Sequence, residues 1–161
     1  ARRPYDAAHE RAKEGKWDPK GRWWVGTGDG RPGGGHAALY CSDARQGAAQ
    51  VLHQFAPKPT RWQPGDGDDG SYGGRPDGAA VDIEGNYWCA LYEGSRVVQL
   101  SPSGEPVGQL KWIGGVWKFK AMGYEGADLV PSGGALTAQH NRTFATLDAA
   151  AIEAGLLGST G

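Results

Sequence analysis

Residues 18–24 read Asp-Pro-Lys-Gly-Arg-Trp-Trp, and residues 82–88 read Asp-Ile-Glu-Gly-Asn-Tyr-Trp. Both stretches follow the pattern Asp-x-x-Gly-x-aromatic-Trp. An aspartate at this spacing closes a tight turn with its carboxylate, and the glycine supplies a backbone conformation with positive φ. The paired aromatic residues then favour a buried strand. The pattern therefore predicts a unit of turn followed by strand, which occurs twice in the chain.

Short strand-like segments extend each of these units. Turn residues rich in glycine, aspartate and serine separate the segments, which is typical of antiparallel meanders. The first unit continues through residues 23–27, 37–40 and 51–55, and the second through residues 87–92 and 96–100. Recurring meanders of this kind are the sequence signature of β-propeller blades, so the predicted fold class is all-β.

The composition agrees with many short strands and excludes several classes of function. The chain has 161 residues, among them 28 glycines, 10 prolines and 7 tryptophans. Its 17 basic and 18 acidic residues give a net charge of −1, so we expect neither nucleic acid nor a membrane as a partner. No apolar stretch approaches the ~20 residues of a membrane span, and residues 1–10 lack the apolar segment of a signal peptide. We expect a soluble chain, and the sequence leaves its compartment open.

The domain organisation predicted from the sequence is simple. Residues 1–161 are expected to form one propeller-like domain. Residues 56–74 are rich in proline, glycine and aspartate without an apolar pattern, which predicts a surface loop. Residues 146–157 are rich in alanine and predict one short helix near the C-terminus.

Two stretches of the chain resemble the gluconolactonase/regucalcin family of β-propellers. Residues 11–27 are similar to the family's segment with Asp-Pro-x-Gly-Arg before an aromatic strand, and residues 75–98 to its Pro-Asp-Gly blade with a following Arg-Val turn. Together the matches cover about residues 11–110. The resemblance implies a six-bladed propeller that binds one divalent cation, calcium or zinc, in its central channel and hydrolyses a sugar lactone.

The length of the chain is short for that architecture. At roughly 40 to 45 residues per blade, 161 residues correspond to about four blades. Three explanations stay open: an abbreviated propeller, a chain that associates with another copy to complete the propeller, or a part of a longer protein.

The resemblance also implies roles for individual residues. Asp77 matches the aspartate that binds the cation, and it could also assist proton transfer. Arg11 matches an arginine that contacts the substrate. Lys13 and Glu14 stand where the family has asparagine and aspartate, so at the channel mouth they would alter the ligand set and the substrate preference. The family's other cation ligands have no counterpart in this sequence.

Two alternative interpretations remain at this point. Pro-Asp-Gly is also an ordinary turn sequence, which would give Asp77 a purely local role. The chain could also be a binding module without catalysis, in which exposed tryptophans stack on a sugar or another small ligand. The candidates for that stacking are Trp17, Trp23, Trp62 and Trp112, whereas Trp24 and Trp88 are expected in the core.

Overall fold

The computed structural model describes residues 5–31, 33–43, 48–63, 66, 72–125 and 128–157. The first sheet has four antiparallel strands in sequential order: β1 (Arg11–Trp17), β2 (Arg22–Gly28), β3 (Ala38–Asp43) and β4 (Ala49–Gln54). The second begins in the same way, with β5 (Arg75–Val81), β6 (Tyr87–Tyr92), β7 (Arg96–Leu100) and β8 (Pro106–Ile113). Each is a four-stranded meander with the topology of a propeller blade, which confirms the predicted all-β fold class.

The second sheet is longer than one blade. It continues through β9 (Val116–Glu125), with β10 (Asp128–Pro131) and β11 (Thr143–Phe144) both paired to β9. The β8–β9 connection is the two-residue turn Gly114-Gly115, in which both glycines have positive φ. That turn is the tight hairpin type, so β9 adds directly to β8 and does not begin a separate sheet.

The only helix of more than one turn among the described residues is α1 (Ala149–Leu157). It lies within the range predicted from the sequence and begins three residues later, because the Asp148 carboxylate accepts a hydrogen bond from the Ala151 amide and caps it. Ile152 and Leu156 pack on the second sheet against Leu110 and Phe119. None of the described helices is long and apolar enough to cross a membrane. Within the predicted loop at 56–74, residues 64–65 and 67–71 lie outside the described residues.

The two repeats predicted from the sequence have the same hydrogen bonds. In the first, Asp18 Oδ1 accepts hydrogen bonds from the amides of Lys20 and Arg22, and Oδ2 accepts one from the Trp24 indole at 3.0 Å. In the second, Asp82 Oδ1 accepts from the amides of Glu84 and Asn86, and Oδ2 from the Trp88 indole at 2.9 Å. Gly21 and Gly85 take the positive φ that the turns require. Each aspartate thus fastens its turn to the strand that follows.

The main core lies between the two sheets. Trp24 is fully buried and its ring stacks on Tyr87 with centroids 5.8 Å apart. Cys41 and Cys89 are buried free thiols. Strand β5 packs against both β1 and β2. Packing of the sheets therefore places the first strand of one blade beside the first strand of the next.

Asp18 should be the more costly of the two turn aspartates to remove. Its carboxylate is buried, so Asp18→Ala leaves the Trp24 indole and Arg22 Nε without their acceptor. We expect a loss of about 3 kcal/mol in the free energy of unfolding, measured by chemical denaturation. Asp82→Ala is the matched control, and its loss should be smaller because Asp82 and Trp88 are only half-buried. A cost below about 1 kcal/mol at Asp18 would contradict this account.

Candidate active site

Three of the four predicted site residues lie in two β-bulges on adjacent edge strands. The pairing of β1 with β2 shifts register between Ala12 and Gly15, and that of β5 with β6 shifts between Pro76 and Ala79. Lys13 and Glu14 lie in the first bulge and Asp77 in the second. Bulges redirect side chains and are over-represented beside active sites. The Pro-Asp-Gly sequence is therefore part of a strand, and the alternative of an isolated turn is wrong.

The bulges are equivalent positions of the repeat. Lys13 and Asp77 are 64 residues apart, as are Asp18 and Asp82. Pro76 lacks an amide donor, which β5 tolerates because it is the terminal strand of its sheet. The same local structure, repeated in two blades, thus brings equivalent backbone positions with different side chains to one place.

Lys13 and Asp77 form an ion pair across the two blades. The Lys13 ammonium lies 3.3 Å from Asp77 Oδ1, and both side chains remain partly open to solvent. Glu14 also bridges the blades, since its Oε2 accepts a hydrogen bond from the Ala79 amide at 3.3 Å. That hydrogen bond and the nearby Lys16 ammonium lower the pKa of Glu14. Three of the four predicted site residues therefore lie together.

Arg11, the fourth predicted residue, lies at the start of β1 and lines a cleft of about 390 Å³. Its guanidinium is exposed and has no ion-pair partner among the described residues. The basic residues that line the cleft are His9, Arg11, Lys13, Arg31 and Arg75. Because Lys13 lines the cleft, the Lys13–Asp77 pair lies next to a strongly basic surface.

Sequence reasoning missed three of these basic residues. Arg75 is 64 residues from Arg11 and so occupies the equivalent position of the second blade, a signal that the repeat contained. Arg31 follows β2 in a loop whose path the sequence does not specify. His9 precedes β1 and is held by Asp6, with 2.6 Å between Nδ1 and the carboxylate. Only packing of the two sheets gathers these residues.

Arg31 is fixed by a buried carboxylate. Asp29 accepts hydrogen bonds from Arg31 Nε at 3.0 Å and Nη2 at 2.8 Å, and its side chain has no exposed surface. The hydrogen bonds from the Arg31 side chain lower the pKa of Asp29 to about 2, against the opposing effect of burial. Asp29 is therefore ionised at neutral pH and holds the Arg31 guanidinium at the cleft.

The described residues do not by themselves fit a divalent cation with three protein ligands. No three His, Cys, Asp or Glu side chains converge in the part of the chain that the structure describes. Asp77 is the one predicted ligand, and it lies next to the cleft, in contact with the Lys13 ammonium. A protonated amine cannot coordinate a metal ion and repels a cation nearby.

A second cavity, of about 280 Å³, lies between the second sheet and α1. Its walls are mainly apolar and include Trp88, Val97 and Ile152. None of the four predicted site residues lines it. The basic cleft between the blades is therefore the candidate active site.

Comparison with known proteins agrees with this architecture. Residues 56–112 match the family described as the SMP-30/Gluconolactonase/LRE-like region. The chain is also 32% identical to a 6-deoxy-6-sulfogluconolactonase of Pseudomonas putida in an alignment of 156 residues. The chain is thus similar to the SMP-30/gluconolactonase family, as its sequence motifs predicted. The alignment covers 69% of this chain and 49% of the relative, so the chain spans about half the length of that protein.

The Asp29–Arg31 pair should make stability depend on pH in the acid range. The pKa of Asp29 is about 2 in the folded chain against an ordinary value of 3.8, so its contribution is complete above about pH 4 and is lost as the pH falls towards 2. We expect wild type to lose about 2 kcal/mol more than Asp29→Asn between pH 5 and pH 2, measured by denaturant unfolding. Arg31→Met should likewise reduce the loss in the free energy of unfolding between pH 5 and pH 2. Parallel pH curves for wild type and Asp29→Asn would refute this assignment.

Proposed function

We propose that the chain contributes the active site of a hydrolase that opens a sugar lactone. The observation that carries the proposal is the Lys13–Asp77 pair, which is formed by the bulges of two adjacent blades and of which Lys13 lines the cleft. The similarity of the chain to the gluconolactonase family supports this class of reaction. The cleft is of a size that accommodates a monosaccharide derivative.

The proposed chemistry uses the charges of this pair. Asp77 is exposed enough to contact a water molecule, and its carboxylate accepts a proton as the water oxygen bonds to the lactone carbonyl carbon. The Lys13 ammonium stabilises the negative charge that develops on the carbonyl oxygen. As the ring C–O bond breaks, the protonated Asp77 returns its proton to the leaving ring oxygen, which gives the open sugar acid. Arg11 contacts the substrate at the cleft wall.

Lactone hydrolysis by the purified chain tests this proposal directly. The rate of acid release from glucono-1,5-lactone, corrected for spontaneous hydrolysis, should fall at least ~100-fold in Asp77→Asn because the general base is lost. Glu84→Gln, an exposed carboxylate in the β5–β6 turn, is the control and should retain the wild-type rate. Wild-type protein that gives no rate above the spontaneous reaction would contradict the proposal.

We propose a divalent cation, calcium or zinc, as the cofactor. Asp77 would be its ligand, and further ligands would come from outside the described residues. Because the Lys13 ammonium opposes a cation at Asp77, Lys13→Asn should bind Ca²⁺ or Zn²⁺ more tightly than wild type. Titration calorimetry measures the difference, and the double variant Lys13→Asn/Asp77→Asn should lose the gain. Equal affinities in wild type and Lys13→Asn would show that Lys13 does not control this position.

The second candidate function is a sugar-binding module without catalysis. Two tryptophans favour it: Trp17 and Trp112 are 59% and 51% exposed, which leaves ring faces open for stacking. Trp23 and Trp62 are only half-buried and pack against Trp17 and Tyr72, and Trp112 likewise packs against Trp117. Sugar binding that survives Asp77→Asn but is lost in Trp17→Ala would favour the module.

Association with a second copy to complete the propeller remains a prediction.

A further inference from the structure

We infer that the basic cleft binds an anionic substituent of the lactone, at a subsite formed by Arg11, Arg31 and Arg75. This inference rests on the proposed hydrolysis and specifies the substrate class. The described residues that line the cleft include three arginines and one lysine, and none of them is acidic. A neutral sugar would leave the positive charge of Arg11 without an acidic partner among the described residues.

The acidic neighbours neutralise only part of the positive charge of the cleft. Asp29 pairs with Arg31 and Asp77 with Lys13. Glu93 forms ion pairs with two cations: its Oε1 lies 2.9 Å from Lys58 Nζ and 3.6 Å from Arg75 Nη2. One carboxylate cannot balance both, and Arg11 has no acidic partner among the described residues. The cleft therefore retains excess positive charge at neutral pH.

Two of the arginines are held in place before a ligand binds. Asp29 fixes the Arg31 guanidinium through two hydrogen bonds. The Arg75 guanidinium lies over the Tyr92 ring, 5.1 Å from its centroid. Side chains that are already ordered lose less conformational entropy on binding, so their hydrogen bonds contribute more to affinity.

Glycines keep the floor of the cleft open for these side chains. Gly28 and Gly30 line the cleft, and a Cβ atom on Gly30 would lie 3.0 Å from Arg75 Nη1. The absent side chains let the guanidinium lie against the backbone and leave space above it. Three guanidinium groups around such a space can donate paired hydrogen bonds to a sulfonate, phosphate or carboxylate.

Comparison of two lactones that differ in charge tests the subsite. The probes are glucono-1,5-lactone, which is neutral, and 6-phosphoglucono-1,5-lactone. We expect wild type to have at least a tenfold higher kcat/KM for the phosphorylated lactone. Arg75→Met should lower kcat/KM for the phosphorylated lactone at least tenfold more than for the neutral one, because a charge-assisted pair is lost. Lys20→Met, which removes an exposed charge at the β1–β2 turn, is the control and should change neither value.

The outcomes separate the subsite from the hydrolase. Equal effects of Arg75→Met on both lactones would overturn the anion subsite and leave the hydrolase standing. If neither lactone is hydrolysed, calorimetry with 6-phosphogluconate and gluconate decides: tighter binding of the phosphorylated acid, lost in Arg75→Met, supports the subsite alone, and equal binding overturns it. Should Arg75→Met fail to fold, Arg75→Lys serves instead, because it keeps the charge and loses the paired donors.

Discussion

The hydrogen bond between a turn aspartate and a strand tryptophan is the constraint on which the rest of the structure depends. At Asp18 the carboxylate is buried, which raises its pKa, but hydrogen bonds from the Arg22 amide, the Trp24 indole and the Arg22 guanidinium lower it by more. The aspartate thus stays ionised within the core. Because the same carboxylate closes the turn and holds the tryptophan, the turn, the strand and the inter-sheet packing are set together.

The repeated unit explains the position of the candidate site. Asp18 closes the turn of the β1–β2 hairpin and Asp82 that of the β5–β6 hairpin, which fixes the register of each. Both hairpins have their bulge at the same distance from the turn. Stacking of Trp24 on Tyr87 then joins the two sheets. As a result, equivalent bulge positions lie close together. One blade has a lysine there and the other an aspartate, and these two side chains form the ion pair.

Charge is distributed unevenly over the protein, although the net charge of the chain is close to zero. The net charge of −1 excludes a strong overall field, yet arginines from β1, β5 and the loop after β2 share one cleft. Their partners are buried beneath the surface or shared with another cation. A local positive field therefore exists on a protein that is slightly acidic overall.

The sequence by itself determined the all-β class, the two turn units, most strands of both meanders and the approximate helix, because turn chemistry and aromatic strand starts act between neighbours in the chain. It also indicated Arg11, Lys13, Glu14 and Asp77 through family resemblance. It did not predict that residues 75–81 form a strand, since Pro-Asp-Gly satisfies turn and bulge alike. Only the tertiary structure decided that Lys13 pairs with Asp77 and that Arg31 and Arg75 join Arg11. Those contacts depend on how two sheets pack across a separation of 64 residues, which no local pattern specifies.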